Sequence, residues 1–293
     1  MIRTLGRRLA SGVLAIGLMV GLLEAVGPLV VDPAVLILGD ASQAADLTAA
    51  RRLLGLDRPW YQRVGRGMSA LFHPTREDSF WFRTPVAQLV ARRWRVTTQV
   101  LMFAVATSLC LGALVTAAAA LYPPVGVVAS SWTFLLVFPL FVSASFLAAF
   151  FASSLRDVGE AAALGGALLG LYGGLWYARV ILEVLRDEAQ SLYFWMEKVL
   201  GIRGPRSVRR RFRLCAFHAL GVFELQMALL LTGGTVVVEY AFHIEGLGLL
   251  LLESARRSDL PVLRFLMAWA SVFYLAVSLV VFGLRRRLDP RTG

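Results

Sequence analysis

The sequence is short of the motifs from which catalytic sites are built. Its only lysine, Lys198, is followed by Val199, so the chain has no GxxxxGK[ST] loop that could cradle the phosphates of ATP. The metalloprotease motif HExxH and the nucleophile motif GxSxG are also absent. The sequence therefore predicts a non-catalytic chain, and any energy source must come from another protein.

Cysteine and histidine are equally scarce. The two cysteines, Cys110 and Cys215, are far apart in the sequence, and neither belongs to a CxxC pair. The three histidines, His73, His218 and His243, are scattered along the chain. We expect the cysteines to be small packing residues, and the sequence predicts no cofactor.

Charge is missing altogether from one long stretch. Between Val96 and Leu155, sixty consecutive residues include no Asp, Glu, Lys or Arg. Because a helix needs about 20 apolar residues to cross the hydrocarbon core of a bilayer, this stretch fits two spans, with a turn at Tyr122-Pro123-Pro124. The whole chain of 293 residues is 58% hydrophobic, with a mean hydropathy of +0.68. The predicted fold class is an all-α, polytopic membrane protein embedded in the lipid bilayer.

About six transmembrane helices are predicted along the chain. They cover residues 10–31, 97–122, 125–152, 161–181, 214–238 and 262–284. The first is too long for the apolar part of a signal peptide, which has about 7–15 residues, so we interpret it as an uncleaved anchor. The predicted regions are 1–31 (cytoplasmic end and first span), 32–96 (external region), 97–284 (transmembrane domain with a cytoplasmic loop at 182–213) and 285–293 (basic cytoplasmic tail).

The basic residues indicate an orientation in the membrane rather than a nucleic-acid partner. The net charge is +11, and the clusters Arg209–Arg211 and Arg285–Arg287 directly adjoin predicted spans. Cytoplasmic loops collect positive charge in this way. We therefore expect both termini and the loop 182–213 to be cytoplasmic. Residues 32–96 carry ten arginines, but a loop of this length escapes the rule.

The external region is predicted to be ordered. Residues Leu47–Leu56 read as a helix, and the following Asp57 and Pro59 suit the start of another. Residues Val86–Trp94 form an amphipathic pattern, which we interpret as a helix lying at the membrane surface and leading into the second span.

Two carboxylates fall within predicted spans, where an ionisable group is costly and is a functional candidate by default. Glu24 lies in the first span, either along a substrate path or near the outer interface. Glu224 lies near the middle of the fifth span and must face a cavity or a partner helix. Either residue is a possible pathway residue, with a hydrogen bond between subunits as the structural alternative for Glu224.

The end of the fifth span raises a separate question about metal binding. Gly233–Gly248 reads GGTVVVEYAFHIEGLG and brings together Glu239, His243 and Glu245, with Glu239 and His243 one helical turn apart. These residue types could ligate a metal. Alternatively, Glu239 ends the span, and Gly246 and Gly248 turn the chain sharply by adopting positive φ, before a short helix around Leu249–Arg257.

Several short segments resemble one known family, the permease subunits of bacterial ABC importers for dipeptides, oligopeptides and nickel. The chain is similar in particular to the member of each permease pair that has a long loop after its first span. The similar segments are Asp32-Pro33-Ala34, Gly55-Leu56-Asp57-Arg58-Pro59, Gly233–Glu239 with Gly246-Leu247-Gly248, Asp259-Leu260-Pro261-Val262 and Leu288-Asp289-Pro290-Arg291. Their order and approximate spacing hold over almost the whole chain.

This resemblance implies the fold of a type I ABC importer permease and a set of partners. These partners are a second permease subunit, ABC ATPase subunits and an extracytoplasmic substrate-binding protein, and the location is the bacterial inner membrane. The family carries a Glu at position 239 but neither His243 nor Glu245, which argues against a metal site. By resemblance, Gly233, Gly234, Glu239, Gly246 and Gly248 belong to a segment at the outer gate; we call Gly233–Gly248 the outer-gate segment.

By resemblance, the cytoplasmic loop 182–213 is the family's ATPase-docking loop. Glu183 and Arg186 resemble its lead-in, Glu188 lies within it, and Gly201 is the candidate for its turn glycine. Independently of the resemblance, one side of a helix is apolar with i, i+3, i+4, i+7 spacing, as in a helix that docks in a groove. These residues, the docking stripe, are Leu192, Trp195, Met196 and Val199. A helix packed on lipid headgroups or on the chain's own spans would show the same pattern.

The loop also departs from the family pattern. It has about four more residues than expected between Glu183 and Gly201, and Tyr193, Phe194 and Trp195 stand where alanines are typical. The leading hypothesis is a non-catalytic permease of an importer for peptides, nickel or another small solute. The alternatives are a stand-alone carrier or channel that uses Glu24 and Glu224, and a permease-like scaffold that no longer couples to an ATPase.

Overall fold

The fold is seen in a computed structural model, which describes residues 2–30, 32–38, 44–71, 77–121, 138–151, 157–200 and 205–288. Nearly all of these residues are helical, which confirms the predicted all-α class. The helices are α1 (Ile2–Val30), α2 (Pro33–Leu38), α3 (Ala44–Leu54), α4 (Trp60–Leu71), α5 (Val86–Leu121), α6 (Leu140–Phe151), α7 (Val158–Gln190), α8 (Leu192–Val199), α9 (Pro205–Leu229), a π-helical segment (Leu230–Gly234), α10 (Thr235–Ala241), α11 (Leu247–Arg256) and α12 (Leu260–Leu288).

Five of these helical stretches are long and apolar enough to cross a membrane. They cover Gly6–Pro28, Val86–Ala119, Val158–Gln190, Phe212–Ala241 and Leu260–Leu288. Each coincides with one predicted span, although the boundaries differ. Half of the remaining predicted span, 125–152, the third in chain order, lies outside the described residues; its described part contains the apolar helix α6.

The chain divides into two compact units. The first comprises Met1–Thr97 with Glu245–Ala276, and the second comprises Thr98–Ile244 with Val277–Gly293.

In the first unit, α1 packs against α4 and α2 packs against α3. Two of the motifs identified in the sequence, at residues 32–34 and 55–59, lie at the ends of helices in this unit. Asp32 caps α2 by accepting a 2.9 Å hydrogen bond from the backbone N–H of Ala34. Gly55, with φ of 70°, follows the end of α3 in the left-handed conformation that glycine tolerates. Helix α3 thus ends two residues before the predicted Leu56, and α4 begins directly after Pro59.

The apolar face predicted at the start of α5 belongs to a core within the first unit. Val86 and Val90 are buried together with Leu247 and Leu250 of α11 and Val262 of α12. Protein covers the Val86 and Val90 end of this face, whereas Trp94 at its other end is 46% exposed, so a position of this helix at the membrane surface stays a prediction. Helix α5 is continuous from Val86 into the membrane span.

A buried carboxylate fixes the segment before α5 to the start of α12. Asp259, which is fully buried, accepts hydrogen bonds from the hydroxyl of Ser79 and from the backbone N–H groups of Phe80 (3.2 Å) and Trp81 (3.4 Å). The Ser79 hydroxyl oxygen in turn accepts a bond from the N–H of Phe82. Charge-assisted bonds of this kind are stronger than neutral ones. The Asp that begins the motif at 259–262 therefore has a structural role.

In the second unit, glycines bring the backbones of α7 and α5 into contact. Gly166, Gly170 and Gly174 are four residues apart and therefore share one face of α7. A Cβ atom at Gly166 would lie 2.6 Å from the carbonyl oxygen of Val100, and one at Gly174 would lie 2.8 Å from Cβ of Leu111. Small residues at this spacing allow close helix packing in membranes. On its other sides, α7 packs against α6, α9 and α10.

Candidate functional site

The predicted docking loop is helical through most of its described length. Helix α7 does not end at residue 181 as predicted but continues to Gln190, and α8 follows after the single residue Ser191. The Ser191 hydroxyl donates a 2.7 Å hydrogen bond to the carbonyl oxygen of Glu188, and the Ser191 N–H donates to the same oxygen. The junction between the two helices is therefore short and hydrogen-bonded.

The docking stripe lies on α8 and is exposed. Between 53% and 77% of the accessible surface of Leu192, Trp195, Met196 and Val199 remains uncovered. The neighbouring Leu200 is exposed to a similar degree. Adjacent exposed apolar side chains of this size mark a surface that is covered by a membrane or by another protein.

The polar residues predicted for the same loop lie on the last turns of α7. Glu183 forms a 3.0 Å ion pair with Arg179 one turn earlier, and both side chains are about half exposed. Arg186 is also exposed, and Glu188 is partly buried. Gly201, predicted as the turn glycine, lies outside the described residues.

The first part of the outer-gate segment belongs to the second unit. Gly233 and Gly234 end the π-helical segment, and Glu239 is fully buried in α10. His243 is exposed and adopts a φ of 55°. Histidine is among the few non-glycine residues that are enriched in this left-handed region.

The second part of the segment belongs to the first unit. Gly246, whose φ is −100°, precedes α11, and Gly248 lies in the first turn of that helix; both are buried. The prediction that these glycines turn the chain through positive φ is therefore wrong, because His243 is the residue of this segment in the left-handed region. The predicted helix near Leu249–Arg257 is confirmed as α11, whose first N–H, from Leu247, donates a 2.7 Å hydrogen bond to the Thr97 hydroxyl.

Glu24 takes part in a buried ionic cluster of the first unit. Its carboxylate accepts a hydrogen bond from the guanidinium of Arg264 in α12, and both side chains are about 95% buried. The other terminal nitrogen of Arg264 pairs with Glu77. The guanidinium of Arg63 donates a 2.7 Å bond to the backbone carbonyl of Glu24. The cluster therefore joins α1, α4, α12 and the segment before α5, and the role of Glu24 in a pathway stays a prediction.

Glu224 of α9 is partly buried in the second unit. Its carboxylate accepts a hydrogen bond from the hydroxyl of Ser278. The partner helix required by its position in the span is therefore available within this chain, and a role for Glu224 in a pathway also stays a prediction.

Sequence reasoning missed Arg264. It lies three residues into the sixth predicted span, so the rule that selected Glu24 and Glu224 applied to it as well. The sequence alone could not identify the partners of Arg264, because Glu24 and Glu77 are 240 and 187 residues away along the chain.

Comparison with known proteins places these features in a family. Residues 84–293 match the family described as binding-protein-dependent transport system inner membrane component. The chain is 28% identical over 281 residues to a peptide transport system permease protein of Brucella suis biovar 1, covering 89% of this chain and 88% of that protein. It is 26% identical over 280 residues to the glutathione transport system permease protein GsiC of Pectobacterium atrosepticum, covering 88% of each chain. A similar identity of 26% over 270 residues is found with GsiC of Shigella flexneri serotype 5b.

Proposed function

The chain belongs to the family of binding-protein-dependent transport system inner membrane components, and we propose that it forms half of the translocation path of an ATP-driven importer. It is a multi-pass permease of an ABC transport system. In the proposed assembly, a second permease subunit supplies the other half of the path, and ABC ATPases supply the energy. A substrate-binding protein delivers cargo on the outer side, and both termini of this chain face the cytoplasm.

The exposed docking stripe supports the proposal that this chain binds an ATPase through α8. A buried aromatic side chain covers about 150–250 Å². Since Trp195 is 66% exposed, covering it removes roughly 130 Å² from water, which corresponds to about 3 kcal/mol at 25 cal/mol per Å². The cost of ordering the interface offsets part of this gain, so loss of Trp195 is expected to weaken ATPase binding by up to about a hundredfold.

The proposed cargo is a peptide. One group of relatives is named for peptide transport and another for glutathione, which is itself a tripeptide. Nickel or another small solute is the alternative that the family resemblance left open. The binding protein of the system selects the cargo in this proposal.

The docking proposal is tested with a pair of matched substitutions in the complete transporter. Trp195→Arg places a charge in the docking stripe, and Trp60→Arg makes the same change on α4, where the tryptophan is 60% exposed. After detergent extraction through a tag on this chain, the amount of co-purified ATPase is measured. We expect Trp195→Arg to lose the ATPase and Trp60→Arg to keep it. Normal ATPase recovery with Trp195→Arg would contradict docking through α8.

Reconstitution separates the importer from a stand-alone carrier. The purified chain in vesicles, without ATPase or second permease, is expected to show no solute uptake when an ion gradient is applied. Uptake under those conditions would overturn the proposal of an ATP-driven path and would favour the carrier hypothesis.

A further inference from the structure

A cavity within the second unit lies between helices that cross the membrane. Its volume is about 470 Å³, within the range of about 300–1,000 Å³ that is common for small-molecule sites. The walls are mainly apolar and include Leu169, Tyr172 and Trp176 of α7 and Leu229 at the end of α9. Ser143 of α6 holds the Tyr172 hydroxyl at 2.7 Å.

Besides the Tyr172 hydroxyl, two polar side chains line this cavity. Arg179, six residues after Gly173 on α7, is paired with Glu183, whereas Gln226 lies deep in the membrane. Gln226 is fourteen residues after Phe212 and fifteen before Ala241, the limits of its span. At 1.5 Å per residue it is therefore about 21 Å from either end of the helical stretch. Gly173, which also lines the cavity, is similarly close to the middle of Val158–Gln190.

The side-chain amide of Gln226 is only half satisfied. Its Oε1 atom accepts a 3.1 Å hydrogen bond from the hydroxyl of Ser108, and the residue is only 4% exposed. Within the part of the chain that the structure describes, its Nε2 atom has no hydrogen-bond partner. A Cβ atom at Gly173 would collide with this Nε2 and would lie 2.8 Å from the Ser108 hydroxyl. The glycine thus leaves the space that the amide occupies beside the cavity.

The helix wall changes geometry next to this amide. The π-helical segment begins four residues after Gln226, and its first and last residues, Leu230 and Gly234, both line the cavity. Single π-helical turns within α-helices frequently occur at functional sites. The π-helical segment is therefore a second indication, independent of the unpaired amide, that this wall of the cavity belongs to a functional site.

The chemistry of the cavity selects its occupant. An N–H group without a partner in the hydrocarbon core is costly, and a lipid acyl chain has no oxygen to accept its hydrogen bond. A peptide carries carbonyl and carboxylate oxygens next to apolar side chains, which match an amide donor surrounded by apolar and aromatic walls. We propose that this cavity is a binding subsite for peptide cargo in transit, with Gln226 Nε2 donating to a peptide carbonyl or carboxylate oxygen. This inference rests on the proposed importer function.

The first test measures ATP-dependent uptake by the complete transporter with its binding protein in proteoliposomes. The probes are radiolabelled glutathione and radiolabelled alanyl-leucine. Gln226→Leu removes the donor while keeping an apolar side chain, and Gln99→Leu makes the same change at an exposed position of α5. We expect Gln226→Leu to lower uptake about five- to fiftyfold, as the loss of one hydrogen bond to a neutral or charged acceptor implies, and Gln99→Leu to leave it unchanged.

The outcomes separate the two proposals. If the wild-type transporter takes up neither peptide, peptide import is refuted, and so is the proposal that the cavity binds a peptide. If the wild type transports and Gln226→Leu transports equally well, only the subsite is refuted. Because Gln226→Leu removes an unpaired buried donor but also takes away the acceptor of the Ser108 hydroxyl, the melting temperature of the variant is measured to show that it remains folded.

A second measurement needs no substitution and remains decisive if Gln226→Leu fails to assemble. A dipeptide containing photo-leucine is illuminated with the wild-type transporter, and the labelled residues are identified by mass spectrometry. We expect labels within 169–176 and 226–234. Labels confined to other parts of the chain would overturn the subsite. Labelling of these residues by a photoreactive phospholipid, undiminished by excess alanyl-leucine, would instead identify a lipid groove.

Discussion

Removal of the Arg264 guanidinium should destabilise the first unit strongly, because it leaves the carboxylates of Glu24 and Glu77 in the protein interior without their positively charged partner. The side chains of Arg264, Glu24 and Glu77 are 6%, 5% and 24% exposed. Removing one partner of a buried ion pair costs about 3–5 kcal/mol, since the remaining charge is left uncompensated. Arg264→Met keeps an unbranched apolar stem, although a shorter one, and removes the charge and its hydrogen bonds.

The assay must report on the first unit by itself, because the two units need not unfold together. Amide hydrogen exchange, followed by mass spectrometry, measures the free energy of local opening around residues 20–30 and 260–270. A loss of about 3–5 kcal/mol predicts exchange that is faster by a factor of about one hundred to several thousand. Arg51→Met is the matched control: Arg51 pairs with Asp32 but is 48% exposed, and such a pair contributes about 0–1 kcal/mol.

The cause of the instability is identified by removing all three charges together. Buried charged clusters replaced by apolar side chains are often as stable as the original or more stable. The triple variant Glu24→Met, Glu77→Met, Arg264→Met should therefore recover the protection that Arg264→Met loses. Exchange in the triple variant as fast as in Arg264→Met would refute the reasoning from stranded charge, and so would wild-type exchange in Arg264→Met.

Two further predictions concern packing and a single hydrogen bond. Gly166→Ala forces a methyl group against the carbonyl of Val100 and should destabilise the second unit by about 1–3 kcal/mol. In the control Gly159→Ala, the added methyl group meets no atom of the described residues within 4 Å, so this change should be neutral or stabilising by up to about 1 kcal/mol. Equal melting temperatures of the two variants in detergent would contradict this. Thr97→Val leaves the N–H of Leu247 without its acceptor and should cost about 1–3 kcal/mol, seen as faster exchange of the first amides of α11, and unchanged exchange there would show that the bond is dispensable.

The fold class and the family could be predicted from the sequence because apolar runs and motif order are local properties. The ends of the helices could not be predicted in this way, because hydropathy locates the part of a helix that crosses the membrane and not the residues at which the helix begins and ends. Helix α7 was predicted to end at residue 181, yet residues 182–190 contain neither Gly nor Pro, and Glu183 pairs with Arg179 across one turn. The helix therefore continues beyond the apolar run that predicted it. In the same way α5 begins eleven residues before the predicted span at residue 97.

The candidate sites could be predicted only where residues of a single helix define them. The docking stripe follows from spacing on one helix, and its exposure agrees with a surface that binds another molecule. The left-handed turn at His243 was not predicted, because glycine is the usual choice there and two glycines lay close by. The Gln226 amide was not predicted either. Its significance depends on Ser108 and Gly173 on other helices, and only the folded chain brings these three residues together.

The glycines at 166, 170 and 174 have a consequence for how an alternating-access cycle can proceed. Where two helices touch backbone to backbone, no layer of side chains separates them that could rearrange into a second packing. In the proposed cycle, α7 and the membrane part of α5 are therefore expected to move together as one rigid unit, and the conformational change is expected at other helix–helix contacts. A covalent cross-link between α5 and α7 should therefore leave the rate of transport unchanged.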